Sequence, residues 1–254
     1  VSTHWLQTIC DFQASTGAVL VSGPVCYHPA SSFFGKLQSV EFLSLVGSGA
    51  ASMQAGQPNM CNGANLAWLK AAFGEVGGFE GSAHIASGDD EFLMHKIASQ
   101  YPGRVLFLKS EAAAVATAPA PDLYSFYQQR KRWGGKWRHY QQLAPQLVAM
   151  LVFAFHFCFC SSFLLFASGG LAAGAMAGGW LLKILAELVF LVPLLVFFRK
   201  KKEIPLIFLL VILHPFYIVG MGVAATMGNY NWKGRPHQRR KAGPYPVLKD
   251  TEAR

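Results

Sequence analysis

Two windows without a single Asp, Glu, Lys or Arg, residues 139–182 and 204–232, constrain what this chain can fold into more than any other feature of it. A helix needs ~20 apolar residues to cross the hydrocarbon core of a bilayer, where no water is present to satisfy an open backbone. Both windows exceed that length. Spans are expected near Leu147–Ser168, Trp180–Phe198 and Ile204–Met227, with the Gly/Ala-rich stretch Gly169–Gly179 as the turn between the first two. Lys183 and Glu187 stand four residues apart on the second span, so each can neutralise the other. His214-Pro215 falls in the middle of the third, where proline removes a backbone donor and can break the helix.

The charges are unevenly placed around these windows. Residues 1–110 carry five Lys/Arg and seven Asp/Glu, net −2, and residues 111–254 carry seventeen and six, net +11, which together give +9. Basic clusters at 130–138, 199–202 and 233–241 flank the apolar segments. Cations beside apolar spans meet anionic headgroups, so membrane lipids rather than nucleic acid are the expected partner. The expectation is an integral protein of the cell inner (plasma) membrane with its catalytic part cytoplasmic. Three full crossings would place the last basic cluster opposite the first two. A broken or re-entrant third segment, or an outside tail, accommodates this, and the sequence leaves both open. The five cysteines show no metal-like spacing, and a reduced environment is the default.

Before the apolar windows the pattern is α/β. Helical spacing covers Thr3–Phe12, Ser32–Ser48, Lys70–Val76, Asp89–Gln100 and Ser125–Tyr140. Gly17–Val25 is a β-branched run bounded by Gly and Pro, hence a buried strand. Asn62–Trp68 turns into a second strand, and Arg104–Leu108 is a third.

Three groups of residues carry chemistry. Asp89, Asp90 and Glu91 follow Gly88 at a helix start, where a carboxylate can project into a cleft, although acidic first-turn residues also serve simply to cap. Adjacent like charges favour proton uptake by one of them, the requirement for a general base. Asn62 and Asn65 place two amides in one turn, either lining a polar pocket or closing the turn. Gln129, Arg132 and Trp133 combine an amide, a cation suited to diphosphate oxygens and a ring suited to a sugar face; the same residues also anchor an interfacial helix at headgroups.

The order Cys61-Asn62-Gly63-Ala64-Asn65, Gly77-Gly78-Phe79, Gly88-Asp89-Asp90-Glu91, Gln129-x-x-Arg132-Trp133 and then apolar spans resembles the membrane-integral family 2 glycosyltransferases, the group of the cellulose, chitin and hyaluronan synthases. The resemblance implies an α/β fold: the C-terminal part of a GT-A (nucleotide-diphospho-sugar transferase) domain with an interfacial helix over 1–142, a membrane domain of about three apolar segments over 143–230, and a basic tail over 231–254. It implies Asp90 as catalytic base, Arg132 on the diphosphate and Trp133 on the acceptor sugar. Asp89, Gln129, Asn62 and Asn65 are expected to bind substrate nearby.

The activity implied is inverting transfer of a hexosyl group from a nucleotide-diphospho-sugar to a glycan or lipid acceptor, as in polysaccharide biosynthesis. A divalent metal, Mg or Mn, is implied too. Its Asp-x-Asp ligands would belong to a nucleotide-binding half ahead of Thr3, so the chain is expected to be a fragment and inactive by itself. The alternative is a non-enzymatic membrane scaffold or a subunit of a split polysaccharide synthase.

Overall fold

The structure is a computed structural model that describes residues 1–81, 88–136 and 143–226, together with the backbone of 230–232 and 235–237. The apolar run from Gly17 is two strands rather than one. After helix α1 (Trp5–Thr16), β1 (Leu20–Ser22) and β2 (Val25–Tyr27) belong to different sheets. Gly23-Pro24 separates them, because proline has no N–H to give the ladder and a fixed φ. β1 is the central strand of three. It runs antiparallel to β3 (Leu66–Trp68) and parallel to β4 (Val105–Phe107), with Val21 opposite both Ala67 and Leu106. β2 pairs in parallel with β5 (Val115–Thr117), a strand too short and alanine-flanked to announce itself in the sequence.

The helices of this part follow the sequence more closely. α2 (Phe33–Gln54) starts where Ser32 accepts a hydrogen bond from the Gly35 N–H, and it runs past the expected Ser48. α3 (Lys70–Glu75) and α4 (Asp89–Gln100) fall where spacing put them. Leu20, Met53, Leu93, Met94, Ile97 and Val105 form the core between α4 and the sheet. Each such side chain contributes roughly 1.5–3 kcal/mol on burial.

Beyond α5 (Leu123–Gly134), three helices are long and apolar enough to cross a membrane: α6 (Leu143–Ala167), α7 (Ala173–Phe197) and α8 (Leu206–Thr226). The turn expected over Gly169–Gly179 is shorter, since α7 already begins at Ala173 and absorbs the later glycines. Lys183 pairs with Glu187, as the spacing requires. α8 does not break at His214-Pro215. Packing on either side holds it: Pro215 is buried, and His214 and Phe216 lie against His156 and Phe163 of α6, with ring centroids 5.0 and 5.9 Å apart.

The two parts share a core. Val40 and Leu43 of α2 join Leu191 and Leu195 of α7 and Ile207 and Val211 of α8 in one apolar cluster. At the other end of α8, a Cβ added to Gly134 of α5 would stand 3.2 Å from that of Ala225. α8 therefore lies along α2 and α5. The expected continuation of α5 to Tyr140, Met227, and most of the basic tail lie outside the described residues. Within that tail the backbone of β6 (Tyr230–Trp232) and β7 (Arg235–His237) forms an antiparallel ladder.

Candidate active site

The acidic turn is built from backbone upward. Gly88 takes φ 98°, a left-handed conformation that suits glycine, and the chain then enters α4 with three acids in its first turn. All three border one cavity, but they are engaged differently. Asp89 is exposed, and Glu91 is buried against Lys136, 2.8 Å from its ammonium. Asp90 reaches back to the Asn-Gly turn: its Oδ2 accepts from the Gly63 N–H at 2.8 Å and its Oδ1 from the Glu91 N–H at 2.9 Å. A Cβ on Gly63 would stand 3.1 Å from Asp90 Oδ2, so a side chain there would press on the bonded carboxylate. A carboxylate offers about four lone-pair directions. Two are taken, and Asp90 lines a cavity where the others can receive a hydroxyl proton.

The two asparagines differ. Asn62 borders the cavity, but its Oδ1 accepts from the Ala64 N–H at 3.0 Å, which closes the short 3-10 turn Gly63–Asn65. The expectation that Asn65 binds substrate is corrected. It is fully buried, its Nδ2 donates to the carbonyls of Pro24 and Ala113, and its Oδ1 accepts from the Trp5 indole. Asn65 ties α1 to both sheets, and its amide is spent on that.

The basic box lies on α5, which Asp122 caps by accepting from the Ser125 N–H at 2.7 Å; that bond holds the Asp122 carboxyl below its ordinary value. Arg132 and Trp133 both line the cavity. Gln129 stands beside the cavity wall rather than in it, and its Oε1 accepts from Arg130 Nη1 at 2.7 Å. Arg130, which the sequence reading passed over, is the most buried residue of the box. It pairs through two nitrogens with Glu41 of α2, its Nε 3.1 Å from Oε1. Its guanidinium stacks on Phe126 and Trp133, 4.6 and 4.3 Å from the ring centroids. Burial works against its charge, but the Glu41 carboxylate outweighs that and raises its pKa. The signal was present in the spacing, since Phe126, Arg130 and Trp133 fall on one helical stripe. Trp133 therefore stacks first on the protein's own cation.

Between these groups lies a cavity of about 790 Å³, within the range of small-molecule sites. Asp89, Asp90, Arg132, Trp133 and Lys136 border it together, brought from α4 and the end of α5, and α2, α6 and α8 complete the wall. Lys136 is another residue the sequence reading missed. Burial opposes its charge, but the Glu91 and Asp90 carboxylates more than compensate and raise its pKa. Burial also lifts the Cys61 thiol well above its ordinary value, with the Asp90 and Glu91 carboxylates adding to it.

A family model described as Glycosyl transferase family group 2 matches residues 1–223. The chain belongs to that family. No curated protein and no solved structure matches it. The family 2 glycosyltransferase match spans the acidic turn, the box and the three apolar helices nearly to the end of α8. Membership brings a nucleotide-sugar donor and an acceptor as substrates. Among the described residues no three His, Cys, Asp or Glu side chains group as a metal site, and Asp90 and Glu91 are engaged by Gly63 and Lys136.

Proposed function

We propose that this family 2 glycosyltransferase carries out inverting transfer of a sugar from a nucleotide-diphospho-sugar to an acceptor hydroxyl at the membrane, with Asp90 as the general base. The observation that supports this reading is the convergence of Asp90, Arg132 and Trp133 on one cavity from two separate helices, α4 and α5. The acceptor oxygen attacks the anomeric carbon as Asp90 takes its proton, and the bond from that carbon to the diphosphate oxygen breaks on the far side. Arg132 offers a cation to the departing diphosphate, an electrostatic help that grows where water is excluded. Glu91 and Lys136 hold the turn that presents Asp90. A scaffold would need no such convergence of acid, cation and ring.

The test is transfer from radiolabelled nucleotide-sugars in membranes carrying the chain, with a nucleotide-binding βαβ half supplied where the chain does not turn over by itself. Asp90→Asn is expected to reduce transfer roughly 10²–10⁴-fold while protein level and unfolding temperature hold, the range for loss of a general base. Unchanged transfer in Asp90→Asn refutes the base assignment, and no transfer under any donor favours the scaffold.

A further inference from the structure

The cavity is unevenly polar. Its charged lining comes from the acidic turn, the end of α5 and Glu41 of α2, whose charge Arg130 engages, and much of the remaining wall is supplied by apolar residues of α6 and α8: Val148, Ala149, Val152 and Phe153 on one, Met221 and Gly222 on the other. Gly222 lets the two helices close up, since a Cβ there would fall 2.8 Å from the Phe153 ring. From Pro145 to Phe153 the α6 wall extends ~12 Å along a helix apolar enough to lie in hydrocarbon. Val148, Met150, Val152 and Phe153 line the cavity and still keep 36–50 % of their surface exposed, so that wall is not closed off by protein.

A sugar chain lying along these side chains would leave its hydroxyls without partners, at a cost of roughly 1–3 kcal/mol for each group buried unpaired. An alkyl chain would meet its match there, gaining ~0.8 kcal/mol for each methylene removed from water. The polar end has the complementary need, a hydroxyl for Asp90.

We infer that the acceptor is a membrane lipid with a hydroxyl at its polar end, its apolar chain lying in the α6–α8 wall and its hydroxyl at Asp90. The inference rests on the glycosyltransferase reading above. In it, the lipid oxygen forms the bond to the anomeric carbon of the nucleotide-diphospho-sugar as the bond to the diphosphate breaks. The lipid proton passes to Asp90, and the products are a glycolipid and a nucleoside diphosphate.

The experiment reads binding without turnover. The full chain is placed in nanodiscs with a diacylglycerol carrying a photoactivatable diazirine in one acyl chain, and labelled peptides are quantified against those of α7, whose Leu182 and Val189 are exposed at 70 and 77 %. Labelling is expected to concentrate at 145–153 and 218–225 and to be competed by unlabelled diacylglycerol but not by triacylglycerol, which has no hydroxyl, nor by a soluble oligosaccharide. Ala149→Trp and Val152→Trp, which fill the wall, are each expected to lower it about tenfold, equivalent to ~1.4 kcal/mol. Leu151→Trp, beside them and outside the cavity, should not. Labelling spread evenly over α6 and α7, or unmoved by both filling variants, overturns the inference, as does competition by the oligosaccharide. If labelling fails while Asp90→Asn still abolishes transfer, the lipid acceptor is wrong and the glycosyltransferase reading stands. Pocket labelling without any transfer leaves a lipid-binding cavity and overturns both the acceptor role and the glycosyltransferase reading.

Discussion

Glu41–Arg130 and Glu91–Lys136 are both carboxylate–cation pairs at the wall of the cavity, six residues apart on their basic side, and they differ in what surrounds them. The first is closed. Its side chains are 6 and 3 % exposed, it is made through two nitrogens, Phe126 and Trp133 cover the guanidinium, and the Tyr217 hydroxyl donates to Glu41 Oε1 at 3.2 Å. The second is a single contact whose lysine is 11 % exposed, with Asp90 and Cys61 as charged or titratable neighbours. The same chemistry thus does two jobs. One pair locks α5 to α2 and α8; the other sets the field at the acidic turn.

The sharpest way to break that contrast is to remove one carboxylate of the closed pair. Glu41→Leu leaves the Arg130 cation buried without a counter-charge, which costs about 3–5 kcal/mol. Denaturant unfolding in detergent should show that loss. Replacing both partners, Glu41→Leu with Arg130→Met, should recover much of it, because an apolar pair leaves no orphaned charge. A double variant no more stable than the single one would mean that the pair is not what holds α5.

Lys136→Met tests the open pair and should behave differently. Its stability loss is smaller, roughly 1.5–3 kcal/mol for one charge-assisted bond, while transfer should fall about tenfold or more because Glu91 no longer holds the turn that presents Asp90. The pH dependence has a definite sign. The Lys136 pKa is raised in the folded protein, so the stability it contributes is fully present below the ordinary lysine value, ~10.4, and is lost as pH rises through the folded value. The gap in stability between wild type and Lys136→Met should therefore be constant from neutral pH to about 9 and narrow only above ~10.4. A gap that closes below pH 9 would contradict the assignment.

That contrast also explains which parts of the molecule could be read from residues alone. α4 was legible because its signals are local: an acidic first turn after a glycine and an apolar stripe at helical spacing. The three apolar helices were legible from length and scarcity of charge, with only the mutually neutralising Lys183 and Glu187 on α7. What stayed hidden depends on pairings across the chain. Glu41 lies 89 residues from Arg130, and nothing near either marks the partner. Asn65 looked like a free amide because its acceptors, Pro24 and Ala113, are 41 and 48 residues away. Pro215 looked like a helix breaker because the α6 rings that support its neighbours lie some fifty residues earlier. Asp90 and Arg132 were legible as residue types, but the apolar wall they face was not, since it comes from α6 and α8.

Cys61 gives the finest probe of the difference between the two pairs, and the smallest effect. Its thiol is lifted first by burial and then by the Asp90 and Glu91 carboxylates, while the Lys136 ammonium acts the other way. Alkylation proceeds through the thiolate, so at neutral pH Cys61 should react with iodoacetamide more slowly than the exposed Cys10, each followed by mass spectrometry of its peptide. Lys136→Met removes the lowering influence and should slow Cys61 further, leaving Cys10 unchanged as the internal reference. The Glu41→Leu, Arg130→Met double variant touches neither the thiol nor its charged neighbours, so it should leave the Cys61 rate as it was. If that variant altered Cys61 as much as Lys136→Met did, the two pairs would act as one network and the division between lock and field would fail.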